Sequence, residues 1–237
     1  MIQPNELIII GGGDSVKEGI SMGLWDKLSN KFVISCNYAY NDFPTATLST
    51  YVDQNYYKAE SKKELFQKLP LIIGKQHSMK ILPNTIMLNA GATYNRNLKN
   101  GVFKSSLCGL FSLSLGIYLL DVGTIYLLGF DYGNIGNEKD SNKKFKTHYY
   151  QGNEQRTHRG IGRINYYCTK NRADKDFGNY LNEKQVKIYN VSLNSNINVL
   201  SKLSYSQFFK LLNNKEYNQN LLRNSIIKKL GVCNGKK

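Results

Sequence analysis

The stretch Leu7-Ile8-Ile9-Ile10-Gly11-Gly12-Gly13-Asp14-Ser15 decides the fold, because a short apolar strand runs directly into a glycine turn and a helix start. A parallel strand delivers its carboxyl end to the ligand crevice of an open α/β sheet. Glycines let the backbone approach a phosphate or a sugar closely, and Asp14 and Ser15 are both expected N-caps. The turn is neither G-x-G-x-x-G nor a P-loop with its lysine. A ligand loop and a plain tight turn both fit it.

The composition is that of a folded globular chain. Its 237 residues include 41% hydrophobic and 21% charged side chains, enough for one sizeable α/β core. The cysteines are scattered without a C-x-x-C pair, which favours free thiols in a reducing cytosol over disulfides or a zinc site. They are Cys36, Cys108, Cys168 and Cys233. Because no apolar run spans a bilayer and no signal peptide is evident, we expect a cytoplasmic protein without a membrane span.

The net charge of +15 is unevenly distributed along the chain. Residues 1–133 contain 12 Lys and Arg against 10 Asp and Glu, whereas residues 134–237 contain 20 against 7. Such an asymmetry indicates an anionic partner, such as nucleic acid or a phosphorylated donor, or else a solvated basic face. No recognised nucleic-acid module accompanies it.

Apolar runs that alternate with helical segments predict an α/β fold, with a Rossmann-like, mostly parallel sheet flanked by helices. The predicted strands are Leu7–Ile10, Phe32–Asn37, Ala46–Asp53, Pro70–Ile73, Thr85–Asn89, Thr124–Asp131 and, as the last strand, Val186–Asn190. The predicted helices are Ser15–Leu28, Ser61–Leu69, Ser106–Leu120, Ala173–Glu183, Tyr205–Leu212 and Glu216–Leu230. We predict one catalytic domain over residues 1–203, with a polar lid over residues 132–163, and a helical extension over residues 204–237 that packs on it.

Polar or glycine positions follow four of these strands. They are the glycine turn after Ile10, Asn37, Asp53 and Asp131. Because the carboxyl ends of parallel strands share one edge of a sheet, these groups are expected to converge on one crevice. For any single position a local turn is the simpler explanation, since Asn and Asp commonly end strands. The four together favour a shared ligand site.

The start of the long apolar helix and the polar lid supply further candidates. Ser105, Ser106 and Gly109 lie at that helix start, either as an anion site or as an ordinary N-cap. His148 lies on the lid and suits a general base, since histidine titrates near neutral pH. His158 competes with it for that role. Near His158 lie basic residues suited to holding phosphates, namely Arg156, Arg159 and Arg163.

Neither a metal centre nor a serine nucleophile is predicted, because H-x-x-x-H, clustered Cys and His, and G-x-S-x-G are all missing from the sequence. The only D-x-D pair, Asp174-Lys175-Asp176, falls in a predicted helix, where a solvated face is the simpler role. His77 lies near Lys75 and Lys80, and nothing in this context favours a catalytic role.

The order and spacing of several motifs resemble bacterial sialyltransferases of the α-2,3/2,8 type. They also resemble phage and bacterial proteins related to the archaeal 6-hydroxymethylpterin pyrophosphokinases. The motifs are the first strand with its glycine turn, Cys36-Asn37, Ser106–Gly109, Ile125–Tyr132 and Val186–Ser195. The resemblance covers roughly residues 7–200.

In the sialyltransferases these motifs hold a cytidine monophosphate donor, and a histidine on the lid is the general base. The resemblance therefore implies a metal-independent glycosyltransferase without a required cofactor, in which His148 is the base. The implied donor contacts are Gly12, Gly13, Asp14, Ser15, Asn37 and Ser106. A pterin-type pyrophosphokinase using ATP with magnesium is one alternative. A basic nucleic-acid-binding protein without catalysis is another.

The chain departs from the family pattern at three places, one of which is that the lid carries two histidines, His148 and His158. Asp14 stands where the family usually has another residue, and an acid beside a phosphate is unfavourable unless it caps the helix. The helix region is a few residues longer than usual, so Ser105, Ser106 and Gly109 each remain possible equivalents. The sequence specifies no oligomeric state.

Overall fold

A computed structural model describes residues 4–91, 103–104, 107–132, 170–181 and 186–234 of the protein. The strands are β1 Glu6–Ile10, β2 Val33–Cys36, β3 Leu48–Tyr51, β4 Ile72–Lys75, β5 Thr85–Leu88, β6 Ala90–Gly91, β7 Phe103–Lys104, β8 Thr124–Leu128, β9 Lys187–Val191 and β10 Ser201–Lys202. The helices are α1 Val16–Ser21, α2 Leu24–Leu28, α3 Gln54–Glu60, α4 Glu64–Gln67, α5 Cys108–Ser114, α6 Lys170–Leu181, α7 Tyr205–Leu211 and α8 Gln219–Asn234. A 3₁₀ helix spans Asn37–Asn41, and α5 continues as a π-helix over Leu115–Leu119.

Eight of these strands form one sheet in which every neighbouring pair is parallel. Their order is β10-β9-β8-β1-β2-β3-β4-β5, and β6 pairs separately with β7. The chain therefore runs outward from β1 to β5 and then adds β8, β9 and β10 on the other side of β1. This confirms the predicted α/β class with a Rossmann-like parallel sheet. The reversal places the topological switch point between β1 and β8.

Two apolar layers cover the two faces of the sheet, which is why the strands are apolar on both sides. Leu7 and Ile9 of β1 face one layer, and Ile8 and Ile10 face the other. The first layer includes residues of α5, α6 and α8, and the second includes residues of α1, α2 and α7. The two C-terminal helices thus pack on opposite faces of one sheet. None of the described helices is both long enough and apolar enough to cross a membrane.

Among the predicted elements, one helix and one strand differ in extent from the structure, and one strand differs in its rank along the chain. The predicted helix Ser15–Leu28 is divided into α1 and α2, because Gly23 between them has a φ of +78°, in the left-handed region. The predicted strand Ala46–Asp53 is reduced to β3, because Asp53 begins α3 as its N-cap. Val186–Asn190 is not the last strand, since β10 pairs with β9.

Candidate functional site

The candidate site lies at the carboxyl edge of the sheet, where β1 and β8 end side by side. The N–H of Gly11 donates to Leu128 O over 2.7 Å, and the N–H of Gly13 donates to Gly129 O over 2.8 Å. Gly129 leaves β8 with a φ of +71°, which glycine adopts without steric cost. Residues 11–15 and 129–131 therefore form one hydrogen-bonded unit at the switch point, here called the paired turns.

The short distance between the paired turns requires glycine at two positions. A Cβ on Gly13 would lie 2.5 Å from Asp131 Oδ2 and 2.8 Å from Gly129 O. A Cβ on Gly11 would lie 2.7 Å from Gly129 O. Packing between the turns thus explains Gly11 and Gly13. Gly12 is different, because its N–H has no hydrogen-bond partner in the described parts of the chain.

Asp131 holds the paired turns together. Its Oδ2 accepts a hydrogen bond from the Ser15 N–H over 2.8 Å, and its Oδ1 accepts one from the Ser15 hydroxyl. Ser15 stands at the N-cap position of α1, as expected, but its side chain makes no capping hydrogen bond. Asp14 does not stand at that position and pairs with Lys17 over 2.8 Å. Both oxygens of Asp131 are occupied by Ser15, so this carboxylate positions the glycine turn.

Residues beyond β9 fix the same unit from the other side. The Phe130 carbonyl oxygen accepts a hydrogen bond from the Ser195 hydroxyl over 2.7 Å and another from the Asn190 side-chain amide over 3.0 Å. The N–H of Asn196 donates to Asp131 O over 2.8 Å. Neither Asn190 nor Ser195 was singled out from the sequence. The available sequence signal is Asn190 itself, an asparagine at the end of the predicted strand Val186–Asn190. The structure shows that this residue is fully buried within β9.

The next two strands continue the same edge. Asn37 follows β2 with a φ of +50°, and its half-buried side chain makes no hydrogen bond to the residues that the structure describes. Asp53 follows β3, but its Oδ1 accepts from the N–H groups of Asn55, over 2.7 Å, and Tyr56, over 3.3 Å. The four predicted strand ends therefore do lie on neighbouring strands. The Asn37 side chain lacks a partner among the described residues, whereas Asp53 has a local structural role.

The start of α5 packs against the paired turns. A Cβ on Gly109 would overlap the Phe130 ring, so close packing accounts for this glycine. The N-cap position of α5 is Leu107 and not a serine, which corrects the predicted start at Ser106. Seven candidates lie outside the described residues, namely Ser105, Ser106, His148, His158, Arg156, Arg159 and Arg163.

His77 lies at the same edge, beyond β4. Its Nε2 lies 2.9 Å from Tyr51 Oη, and its Nδ1 accepts a hydrogen bond from the Met79 N–H over 3.2 Å. Because Nδ1 accepts, Nε2 carries the proton and donates to Tyr51. Burial lowers the pKa of His77 and raises the pKa of Tyr51. Both ring nitrogens are engaged, so the neutral His77 has a structural role.

Polar features elsewhere in the described residues are weaker candidates for a ligand site than the carboxyl edge. Within the described ranges, no group of three or more His, Cys, Asp or Glu side chains is placed to hold a metal ion. Asp174 of the D-x-D pair accepts the N–H of Asn198 over 2.6 Å. A depression of about 380 Å³ lies at the opposite edge, lined by Asn30, Glu216, Tyr217, Asn218, Gln219 and Asn220. Its Gln219 amide already bonds to Lys31 O over 3.0 Å, so we give this depression less weight than the open groups at the carboxyl edge.

Comparison of the chain with protein-family models, with curated proteins and with solved structures gave no match. The description of the protein therefore rests on its own fold and site. The protein has a parallel α/β sheet with a glycine turn fixed at the topological switch point.

Proposed function

We propose that the protein is a transferase that binds a nucleotide-activated donor at the carboxyl edge, and that it is a sialyltransferase-like glycosyltransferase that needs no metal. The observation that supports this is the position of the glycine turn at the switch point between β1 and β8. Open α/β sheets bind ligands in the crevice at that point. The resemblance described above supplies the class of donor, a sugar activated by cytidine monophosphate.

Two open polar groups on adjacent strands support a nucleotide in particular. The Gly12 N–H is suited to a phosphate oxygen, and the Asn37 amide offers both a donor and an acceptor to a ribose or base. Neighbouring strands lie about 4.8 Å apart, so one nucleotide spans the ends of β1 and β2.

The two carboxylates near the turn already have partners. Asp14 pairs with Lys17, and Asp131 accepts both hydrogen bonds of Ser15. Their negative charge is therefore partly compensated before an anion arrives. This compensation reduces the repulsion that a phosphate at the Gly12 N–H would otherwise meet from the two carboxylates.

The proposed reaction transfers the sugar to an acceptor hydroxyl. His148 takes the hydroxyl proton while the acceptor oxygen bonds to the donor carbon, and the bond from that carbon to the phosphate breaks. The leaving group is the nucleoside monophosphate. We assign stabilisation of its charge to the basic lid residues Arg156, Arg159 and Arg163.

Thermal unfolding with a panel of ligands tests the proposal. The panel is CMP, UDP, GDP, ATP with magnesium, and a short DNA duplex. At about one hundred times its Kd a ligand stabilises by about 2.7 kcal/mol, which raises the Tm by roughly 5–10 °C for a chain of this size. We expect CMP to stabilise without metal. If ATP with magnesium is the only ligand that stabilises the protein, the result would support the pyrophosphokinase. Salt-sensitive DNA binding would support the nucleic-acid alternative. No response to any nucleotide would reject both enzyme proposals.

A pair of histidine variants tests the base. With a CMP-sugar donor, His148→Ala is expected to abolish turnover and to leave CMP binding unchanged. His158→Ala is the matched variant and is expected to retain turnover. Activity retained in His148→Ala and lost in His158→Ala would move the base to His158.

A further inference from the structure

Tyr132 directly follows the paired turns, and its backbone conformation is strained. Its φ of +49° lies in the left-handed region, which Gly and Asn adopt far more readily than a bulky side chain. The chain is held in place just before it, because the Asn196 N–H donates to Asp131 O over 2.8 Å and Ser195 Oγ donates to Phe130 O over 2.7 Å. Strain that the surrounding structure maintains in this way is concentrated at ligand sites. A tyrosine at this position therefore points to a role for its ring.

The Tyr132 ring forms one wall of the crevice at the switch point. Helix α1, which follows β1, lies in the second apolar layer, whereas α6, the next described helix after β8, lies in the first. Tyr132 packs on that first layer. Because the helices that follow the two strands cover opposite faces of the sheet, a crevice opens between them. The glycine turn lies on one side of it and the Tyr132 ring on the other.

This ring has a fixed orientation and is only half-buried. It stacks on Phe130 with ring centroids 6.5 Å apart and planes 17° apart, and it meets Phe177 edge to face, with centroids 5.4 Å apart and planes 89° apart. Phe130 in turn contacts the glycine turn, since a Cβ on Gly11 would lie 3.1 Å from its Cε2. Tyr132 is therefore one ring away from that turn. A fixed aromatic surface beside a few polar groups is typical of a ligand pocket.

Three groups stand in a row along the carboxyl edge, on three neighbouring strands. Tyr132 follows β8, Gly12 follows β1 and Asn37 follows β2. Neighbouring strands lie about 4.8 Å apart, so the row spans about 10 Å. A nucleotide-activated sugar has its phosphate between the nucleoside and the sugar. With the phosphate at the Gly12 N–H and the nucleoside at Asn37, the sugar reaches the end of β8.

We propose that Tyr132 binds the transferred sugar of the donor, whose ring packs on the face of the tyrosine. This inference rests on the proposed function and adds a sugar subsite to it. One face of a pyranose ring presents mainly C–H groups, and an aromatic ring offers them a flat apolar surface. The nucleoside and the sugar then lie on opposite sides of the glycine turn.

Calorimetric titration with CMP and with CMP-N-acetylneuraminic acid, without an acceptor, tests the subsite. Tyr132→Gly retains the left-handed backbone and removes only the side chain. This variant is expected to bind CMP as the natural protein does and to bind the CMP-sugar about tenfold more weakly. Tyr132→Phe keeps the ring and is expected to bind both ligands as the natural protein does.

Tyr118→Ala is the matched control. Tyr118 is also half-buried and packs on the same apolar layer, but it lies in the π-helix at the other end of α5. Its loss is expected to change neither affinity. Equal affinity of Tyr132→Gly and the natural protein for the CMP-sugar would overturn the subsite. A parallel loss of affinity for CMP and the CMP-sugar would also overturn it, because the ring would then act on the nucleotide or on the paired turns.

A measurement on the natural protein does not depend on the folding of a variant. Saturation of its aromatic protons in an NMR experiment is expected to transfer to the sugar protons of bound CMP-N-acetylneuraminic acid. Transfer confined to the nucleoside protons would overturn the subsite. Binding of neither ligand by the natural protein would instead reject the proposed function on which the subsite rests.

Discussion

The two edges of the sheet use their polar groups in opposite ways. At the amino edge, the segment after α7 closes over the strand starts. Lys31 Nζ donates to the carbonyl oxygens of Asn213 and Lys215, each over 2.9 Å, and Gln219 Nε2 donates to Lys31 O over 3.0 Å. The half-buried Glu6, whose pKa is raised by burial, also accepts the N–H of Asn213 over 3.3 Å.

At the carboxyl edge the polar groups divide into two kinds. Those of Gly13, Ser15 and Asp131 are bonded to one another within the paired turns. The Gly12 N–H and the Asn37 side chain have no hydrogen-bond partner in the parts of the chain that the structure describes. The amino edge is therefore closed by hydrogen bonds, whereas the carboxyl edge is a hydrogen-bonded frame around two groups that none of the described residues pairs with. This difference supports a ligand site at the carboxyl edge.

Breaking the frame is expected to have the largest effect. Gly13→Ala places a Cβ 2.5 Å from Asp131 Oδ2, so the paired turns must separate. We expect a loss of about 3 kcal/mol in the free energy of unfolding, measured by urea denaturation. The matched control is Gly178→Ala in α6, where an added Cβ meets nothing within 4 Å. That variant is expected to gain up to about 1 kcal/mol. Equal effects would contradict the frame.

Asp131→Asn tests the contact that holds the frame. The amide removes one of the two charge-assisted acceptors of Ser15, at an expected cost of about 1.5–2 kcal/mol in unfolding free energy. Asp53→Asn is the control on the same edge, because Asn serves equally well as an N-cap, and its expected change is within about 0.5 kcal/mol. If both variants unfold at the same urea concentration, Asp131 has no special role.

Gln219→Ala opens the amino edge alone. The side chain accepts from Thr47 Oγ1 over 2.8 Å and donates to Lys31 O over 3.0 Å. Its loss is expected to cost about 1 kcal/mol and to leave CMP affinity unchanged. The exposed Gln76→Ala is the control and is expected to change neither quantity. Weaker CMP binding by Gln219→Ala would contradict the claim that the amino edge takes no part in ligand binding.

The smallest expected effect is the pH dependence contributed by His77. Burial holds its folded-state pKa below the unfolded value of about 6.5, so the unfolded chain binds the proton more tightly. Its contribution to stability is therefore present above about pH 6.5 and is lost as pH falls. Urea unfolding between about pH 5 and 7.5 is expected to show a steeper loss for the natural protein than for His77→Gln. Parallel curves would contradict this assignment.

The sequence predicts the sheet better than it predicts the contacts across it. β1 and β8 are buried on both faces, so each appears as a continuous apolar run. Asp131 is correctly expected at the carboxyl edge. Its partner Ser15, however, lies 116 residues away, and no local pattern connects them. Asp53 shows the opposite case, because the local explanation for an aspartate after a strand is its observed role.

Helix α3 was missed because its buried face combines two tyrosines, Tyr56 and Tyr57, with the charged residue Glu60. Glu60 is only 2% exposed, yet it accepts a hydrogen bond from Tyr40 and pairs with Lys63 over 2.8 Å. A sequence pattern based on hydrophobic spacing counts Glu60 as a solvent-facing residue. The two-residue strand β10 gives no pattern at all, since its position depends on pairing with β9.

The central claim is that the open groups at the carboxyl edge bind a nucleotide, and two asparagines allow a direct measurement. Asn37 and Asn30 both have a positive φ, of 50° and 58°, but Asn30 lies at the amino edge. Glycine preserves this conformation at either position and removes only the side chain. By calorimetric titration with CMP, Asn37→Gly is expected to weaken binding by up to about tenfold, the worth of one hydrogen bond, while Asn30→Gly retains the natural affinity. Equal affinities for the two variants, or no CMP binding by the natural protein, would contradict the claim.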